Sequence, residues 1–234
     1  MCVICSRRDL ISGAIAALLL RTESSYAVES GPRVLCGFND DDLRSYHNSM
    51  TSTSGDTKFD SALIAELRRI LQVFHVDPGF KFVKANNAAA TDETVVQGTR
   101  GTVFIGLDFV RKLVDHDDGG ISVAGVLAHE CAHIYQYFSP YNEKLKGPTN
   151  LWFELHADLL AGYYMAKKLG TETIRLTDFQ RTLMQGGTFN EQAVKNHGSP
   201  GQRNAAMDKG YRLSRSGMSF EDAAREGKEY VQRL

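Results

Sequence analysis

Residues 129–133 read His129-Glu130-Cys131-Ala132-His133, inside a run from Ile121 to Phe138. Apolar residues in that run fall at Val123, Leu127, Cys131, Ile134 and Phe138, at spacings of 4, 4, 3 and 4. That is a helical period, and Ser139-Pro140 ends it. On a helix, histidines four residues apart share a face one turn apart, so both rings can close on a single metal ion. Glu130 lies about 100° round from His129, beside such an ion, where it can take a proton from water. Cys131 lies about 200° round, in the apolar stripe, and reads as a packing residue rather than a ligand. The pattern therefore calls for a fold that buries one face of a long helix and sets the histidine face under a cleft.

Zinc sites that activate water take three protein ligands and leave a further position open. The next helix, Leu151–Leu169, is bounded by Thr149 or Asn150 before and Gly170 after, and it carries Glu154-Leu155-His156-Ala157-Asp158. Glu154 and Asp158 are four apart and share a face. Glu154 can then be the third ligand while Asp158 accepts a hydrogen bond from a ligand histidine. His156, about 200° away on the helix, is the alternative ligand, but choosing it turns Asp158 away as well. The donor types favour zinc, one ion per chain. His133 is followed by Ile134-Tyr135-Gln136-Tyr137-Phe138-Ser139, which excludes the longer metzincin pattern.

The combination of H-E-x-x-H with E-x-x-x-D about twenty residues later resembles the gluzincins, the thermolysin-like clan of zinc metallopeptidases. The wider context is Val126-Leu127-Ala128, Glu154 with Ala157-Asp158, and His197-Gly198-Ser199-Pro200 with Arg203. It is similar to bacterial metallopeptidases related to the CAAX-type and heat-shock membrane proteases, over roughly residues 100 to 210. The chain departs from them in having Gly198 and Ser199 between His197 and Pro200, and in lacking their membrane helices. The resemblance implies an α+β, mainly helical, zincin-like domain with a small sheet beside the active-site helix. It also implies hydrolysis of peptide bonds in a peptide or protein substrate, with Glu130 as general base. His197 and Arg203 then become candidate catalytic residues that donate to the developing oxyanion. Other readings stand beside these: His197 as a turn residue, and Arg203 either paired with a carboxylate that steadies the site or in an ordinary surface salt bridge. Arg203 sits in the first turn of a helix, where a cation opposes the dipole and needs a partner. Two other functions use the same motif: a metal-binding chaperone or scaffold without turnover, and a zinc amidase acting on cell-wall material.

The rest of the chain sets the frame. Leu63, Ile64, Leu67, Ile70, Leu71 and Phe74 predict a helix over Asp60–Phe74, capped by Asp60 and stopped by Asp77-Pro78-Gly79. Phe80–Val83 reads as a strand, and Val95-Val96 and Thr102–Ile105 as strands around a turn. The latter is either an ordinary core strand or an edge to which an extended substrate adds. Helices are expected near Asp178–Met184, Gln202–Arg215 and Phe220–Val231. Asp115-His116-Asp117-Asp118-Gly119-Gly120 lacks the spacing of a calcium loop and reads as a solvated turn.

Residues 1–27 read as a secretory signal: Arg7-Arg8, an apolar stretch from Leu10 to Leu20, and an end at Ala27. Ser6-Arg7-Arg8 with Leu10-Ile11 resembles the twin-arginine motif, the alternative being general secretion. Export to the periplasm or exterior follows. Residues 28–55 are polar and turn-rich and read as a loose leader, which leaves 56–234 as the catalytic domain. A Cys36–Cys131 bridge is disfavoured because Cys131 belongs to the core face. With 27 basic against 28 acidic residues, the chain has no charge excess for holding a nucleic acid. The Leu10–Leu20 stretch falls short of the about 20 residues that span a bilayer. The oligomeric state has no signature in the sequence.

Overall fold

The computed structural model describes residues 49–114, 120–147, 149–170 and 197–234. The expected signal, Cys36, His47, the acidic stretch 115–119 and the helix near Asp178–Met184 lie outside them. The described residues form an α+β arrangement dominated by helices, with one three-stranded sheet. Among them, no helix is long and apolar enough to cross a membrane.

Helix α1 (Thr57–Phe74) begins at Asp56, whose carboxylate accepts the amides of Lys58 and Phe59. Asp60, the expected cap, lies within the helix instead. Its carboxylate accepts the Ser54 amide and the Thr53 hydroxyl, tying the preceding segment down. Of the 28–55 stretch, residues 49–55 are described. There Thr51 exchanges two backbone hydrogen bonds of 2.9 Å with Phe82.

Strands β1 (Gly79–Val83), β2 (Ala88–Thr91) and β3 (Thr102–Gly106) pair in the order β1-β3-β2. β1 runs parallel to β3 and β2 antiparallel to it. The Thr102–Ile105 segment is therefore the central strand, which rules out its service as a substrate edge. Val103 and Ile105 enter the main core, while Phe104 joins Val83, Ala85 and Ala89 in a smaller cluster. Its continuous apolar run suits a strand covered on both faces. Val95-Val96 lies outside the strands, and Ala88–Thr91 takes the place expected of it. Alanine's weak strand propensity hides that segment from a propensity reading.

The remaining elements are α2 (Leu107–Val114), α3 (Ile121–Tyr137), α4 (Tyr141–Lys144), α5 (Leu151–Leu169), α6 (Pro200–Arg215) and α7 (Phe220–Val231). α3 packs against the sheet and against α5, and Tyr137 donates its hydroxyl to the Ala90 carbonyl at 3.2 Å. Every residue of α3 except Tyr135 is buried. Of the expected stripe, Val123, Leu127, Cys131 and Ile134 are in the core, whereas Phe138, one residue past the end of α3, is exposed; the histidine face is covered too, with α5 packed along α3. A helix enclosed on all sides must match each inward polar group to a partner.

α5 and α6 meet backbone to backbone. A Cβ on Gly162 would stand 2.1 Å from the Met207 carbonyl oxygen, and one on Gly210 would stand 1.8 Å from that of Leu159. This approach brings the first turn of α6 to the middle of α5. Gly210→Ala forces the helices apart and is expected to lower stability by about 1–3 kcal/mol or more. Denaturant unfolding at unchanged m-value measures it, and a variant as stable as the parent would show that the helices part at no cost.

Candidate metal centre

The i, i+4 spacing on α3 and the packing of α5 against it bring three side chains to one point. Nε2 of His129 and Nε2 of His133 lie 3.0 Å apart. Glu154 Oε2, from the first turn of α5, is 3.4 Å from the first and 3.7 Å from the second. Donors bound about 2.0–2.1 Å from a tetrahedral ion stand about 3.3 Å from one another. The three atoms already approach that spacing, and His129, His133 and Glu154 form a buried group that can hold a metal ion. His156 does not join them. It is wholly buried, its Nε2 lies 2.9 Å from the Ala224 carbonyl oxygen, and burial pulls its pKa down to about 4. Of the two ligand alternatives, the geometry brings Glu154 to the histidines.

Asp158 stands one turn beyond Glu154, as the spacing predicts. Its Oδ1 is 3.0 Å from His129 Nδ1. Arg203 closes on the same carboxylate from α6: Nε donates to Oδ2 and Nη2 to Oδ1, both at 2.7 Å. Arg203 is therefore in a buried pair rather than a surface salt bridge, and its guanidinium forks onto Asp158. Burial disfavours the Asp158 anion, but Arg203 and His129 outweigh it and hold the carboxyl below its usual value.

His197 reaches the same point. Its Nε2 is 3.7 Å from Glu154 Oε2, and its side chain keeps 29% exposure, against 2% for Glu154. The Gly198-Ser199 spacing between His197 and Pro200 has a local cause. Gly198 adopts φ 86°, and any Cβ there would press Leu151 and Leu155 at 3.0 Å. Ser199 caps α6 in a reciprocal pair with Gln202, and Pro200 opens the helix. Gly198-Ser199 is a tight turn followed by a cap, seating His197 against α5.

Glu130 is buried beside the ligands, and its Oε2 has no hydrogen-bond partner among the described residues. Burial pushes its carboxyl up, against the pull of His129 and His133. Cys131 is fully buried, its thiol pushed up by burial. His75 is a surface residue that caps α1 and lies 2.9 Å from Glu221. One buried polar group in contact with a ligand histidine went unforeseen. Gln136, on the ligand face three residues after His133, is fully enclosed and touches both His133 and His156. Its sequence signal is the i+3 spacing alone.

Burial opposes a charge on His129, but Asp158 and Glu154 overcome it and raise its pKa to about 10. A metal ion must therefore displace a proton there. In the metal-free chain this charge stabilises the fold fully below about pH 6.5, and the contribution fades as pH rises through about 10. Asp158 and Glu154, held low, contribute at neutral pH and lose that contribution in acid. Near neutral pH, metal binding is expected to release about one proton from His129, with affinity rising about tenfold per pH unit. Calorimetry in buffers of different ionisation enthalpy measures this, and pH-independent affinity would show His129 to be neutral already.

No protein-family model matches the chain, and no curated protein or solved structure matches it either.

Proposed function

We propose that this chain is an exported, zinc-dependent metallopeptidase of the gluzincin type, with a zincin-like catalytic domain acting on peptide or protein substrates. The observation that carries the reading is the convergence of His129, His133 and Glu154 beside a buried Glu130 carboxylate. A purely structural metal site closes its coordination with a fourth protein ligand and has no need of a general base beside it. The donor set of two imidazoles and one carboxylate fits zinc in a catalytic rather than a structural site. Export rests on the twin-arginine reading of residues 1–27.

When bound, zinc supplies a Lewis acid for the scissile carbonyl and lowers the pKa of water. Glu130 is the general base: raised by burial, its carboxylate takes the proton of the attacking water. It then returns that proton to the leaving nitrogen. His197, at the more exposed side of the ligand cluster, donates to the carbonyl oxygen as negative charge develops there. Arg203 acts through Asp158, which steadies His129.

A mass-spectrometric digest of a degenerate peptide library tests the reading. Cleavage that a chelator stops and zinc restores supports it. Tight zinc binding with no cleavage would favour a metal-binding scaffold, and digestion of peptidoglycan without peptides would favour an amidase. His197→Ala is expected to keep its zinc and lose about 10²–10³-fold in kcat. A metallated His197→Ala that cleaves within a few-fold of the parent would reduce His197 to a turn residue.

A further inference from the structure

The chain of contacts behind His133 has only one hydrogen-bonding polarity. Gln136 Nε2 lies 2.8 Å from the Phe153 carbonyl oxygen and 3.0 Å from His156 Nδ1. A carbonyl can only accept, so the nitrogen end of the amide must face it, and this fixes the orientation of the side chain. The other end, Oε1, can then only accept. It lies 2.7 Å from His133 Nδ1, so that nitrogen carries a hydrogen. At the far end, His156 Nε2 faces the Ala224 carbonyl oxygen at 2.9 Å and must donate. Its Nδ1 is then free to accept the second amide hydrogen of Gln136. Each side-chain donor in the series thus faces an acceptor, and each side-chain acceptor a donor. The Phe153 ring also lies nearly parallel to the His133 ring, at 5.1 Å and 10°, which fixes the plane of the imidazole.

We infer that Gln136 is the positioning residue of the metal centre. Braced by Phe153 O and by His156 against α7, it locks His133 in the Nδ1–H form, so that Nε2 presents its lone pair to the ion. The inference rests on the reading of His133 as a metal ligand and extends it. Which nitrogen of a histidine binds a metal is set by the hydrogen bond the other makes. At His129 the Asp158 carboxylate stands 3.0 Å from Nδ1; at His133 that place is taken by an amide that belongs to no part of the motif. His156, rejected as a ligand, then has a reason for its buried position on α5: it couples the metal centre to the Ala224 carbonyl.

Long-range ¹⁵N–¹H NMR of histidine-labelled full chain, with and without zinc, tests this directly. The metal-free protein is expected to show His133 as the Nδ1–H form and His156 as the Nε2–H form, and zinc is expected to shift His133 Nε2. Gln136→Met, similar in size but unable to accept, is expected to weaken zinc binding by about 10–100-fold and to release the His133 tautomer. Gln136→Glu keeps the acceptor but loses both donors that brace it, and is expected to hold the tautomer and to bind zinc more tightly than Gln136→Met. A role in filling space alone predicts the opposite order, since methionine packs and a buried carboxyl does not. His133 found as the Nε2–H form, ligation through its Nδ1, or Gln136→Met binding zinc within two-fold of the parent would each overturn the inference while leaving the metal centre intact. A parent chain that binds no zinc would overturn both. Should Gln136→Met fail to fold, the NMR of the parent decides alone.

Discussion

Glu130→Gln is expected to bind about one zinc per chain, as the parent does, and to lose about 10²–10⁴-fold in turnover. The amide keeps the volume of the carboxylate but cannot accept a proton from water. Because Glu130 is buried beside His129 and His133 without being one of the three converging ligands, the substitution leaves ligation alone. It also removes a carboxyl that burial pushes up, so the variant is expected to be at least as stable as the parent. Metal content by mass spectrometry and single-turnover cleavage separate the two effects. Substantial turnover by a zinc-loaded Glu130→Gln would overturn the mechanism.

Arg203→Met has the other large consequence, this time on stability. Asp158 has no exposed surface, and Arg203 closes on both of its oxygens at 2.7 Å. Methionine retains much of the buried stem and removes the cation, leaving a buried carboxylate to His129 alone. Breaking one side of a buried pair costs about 3–5 kcal/mol, well beyond the typical surface ion pair. The double change Arg203→Met with Asp158→Leu is expected to recover part of that loss in thermal unfolding, since neither charge then remains. It is not expected to recover metal affinity, because His129 has then lost the group that orients it. If Arg203→Met unfolds at the parent temperature, the pair contributes nothing to the fold.

The parts of this architecture that local chemistry decides were legible in advance. α3, α5 and α7 end within a residue or two of their expected limits because apolar period, Ser139-Pro140 and Gly170 act locally. The convergence of Glu154 and Asp158 on the His129 side followed from helical spacing. Asp56 displaced Asp60 as the cap of α1 because two acidic residues four apart can both begin a helix. The choice fell to the Thr53 and Ser54 contacts that engage Asp60 elsewhere. The position of β3 at the centre of the sheet depends on pairing with β1 and β2, and no property of its own five residues decides that. Gln136 is the extreme case: its partners come from α3, α5 and, through His156, α7. Only the assembled fold distinguishes it from the polar residues that line any helix.

The enclosed acids around the histidines carry a further consequence when their electrical balance is considered. Glu130, Glu154 and Asp158 are all buried, and among the described residues Arg203 is the one permanently charged cation buried with them. With all three acids ionised, the interior is short of two positive charges. A dication restores neutrality, whereas a monovalent ion leaves an excess negative charge and a trivalent one an excess positive charge. Before any ion arrives, captured protons must make up the shortfall, and the raised pKa of His129 is one such capture. An ion taken up by this group would therefore be selected by its charge as well as by coordination geometry.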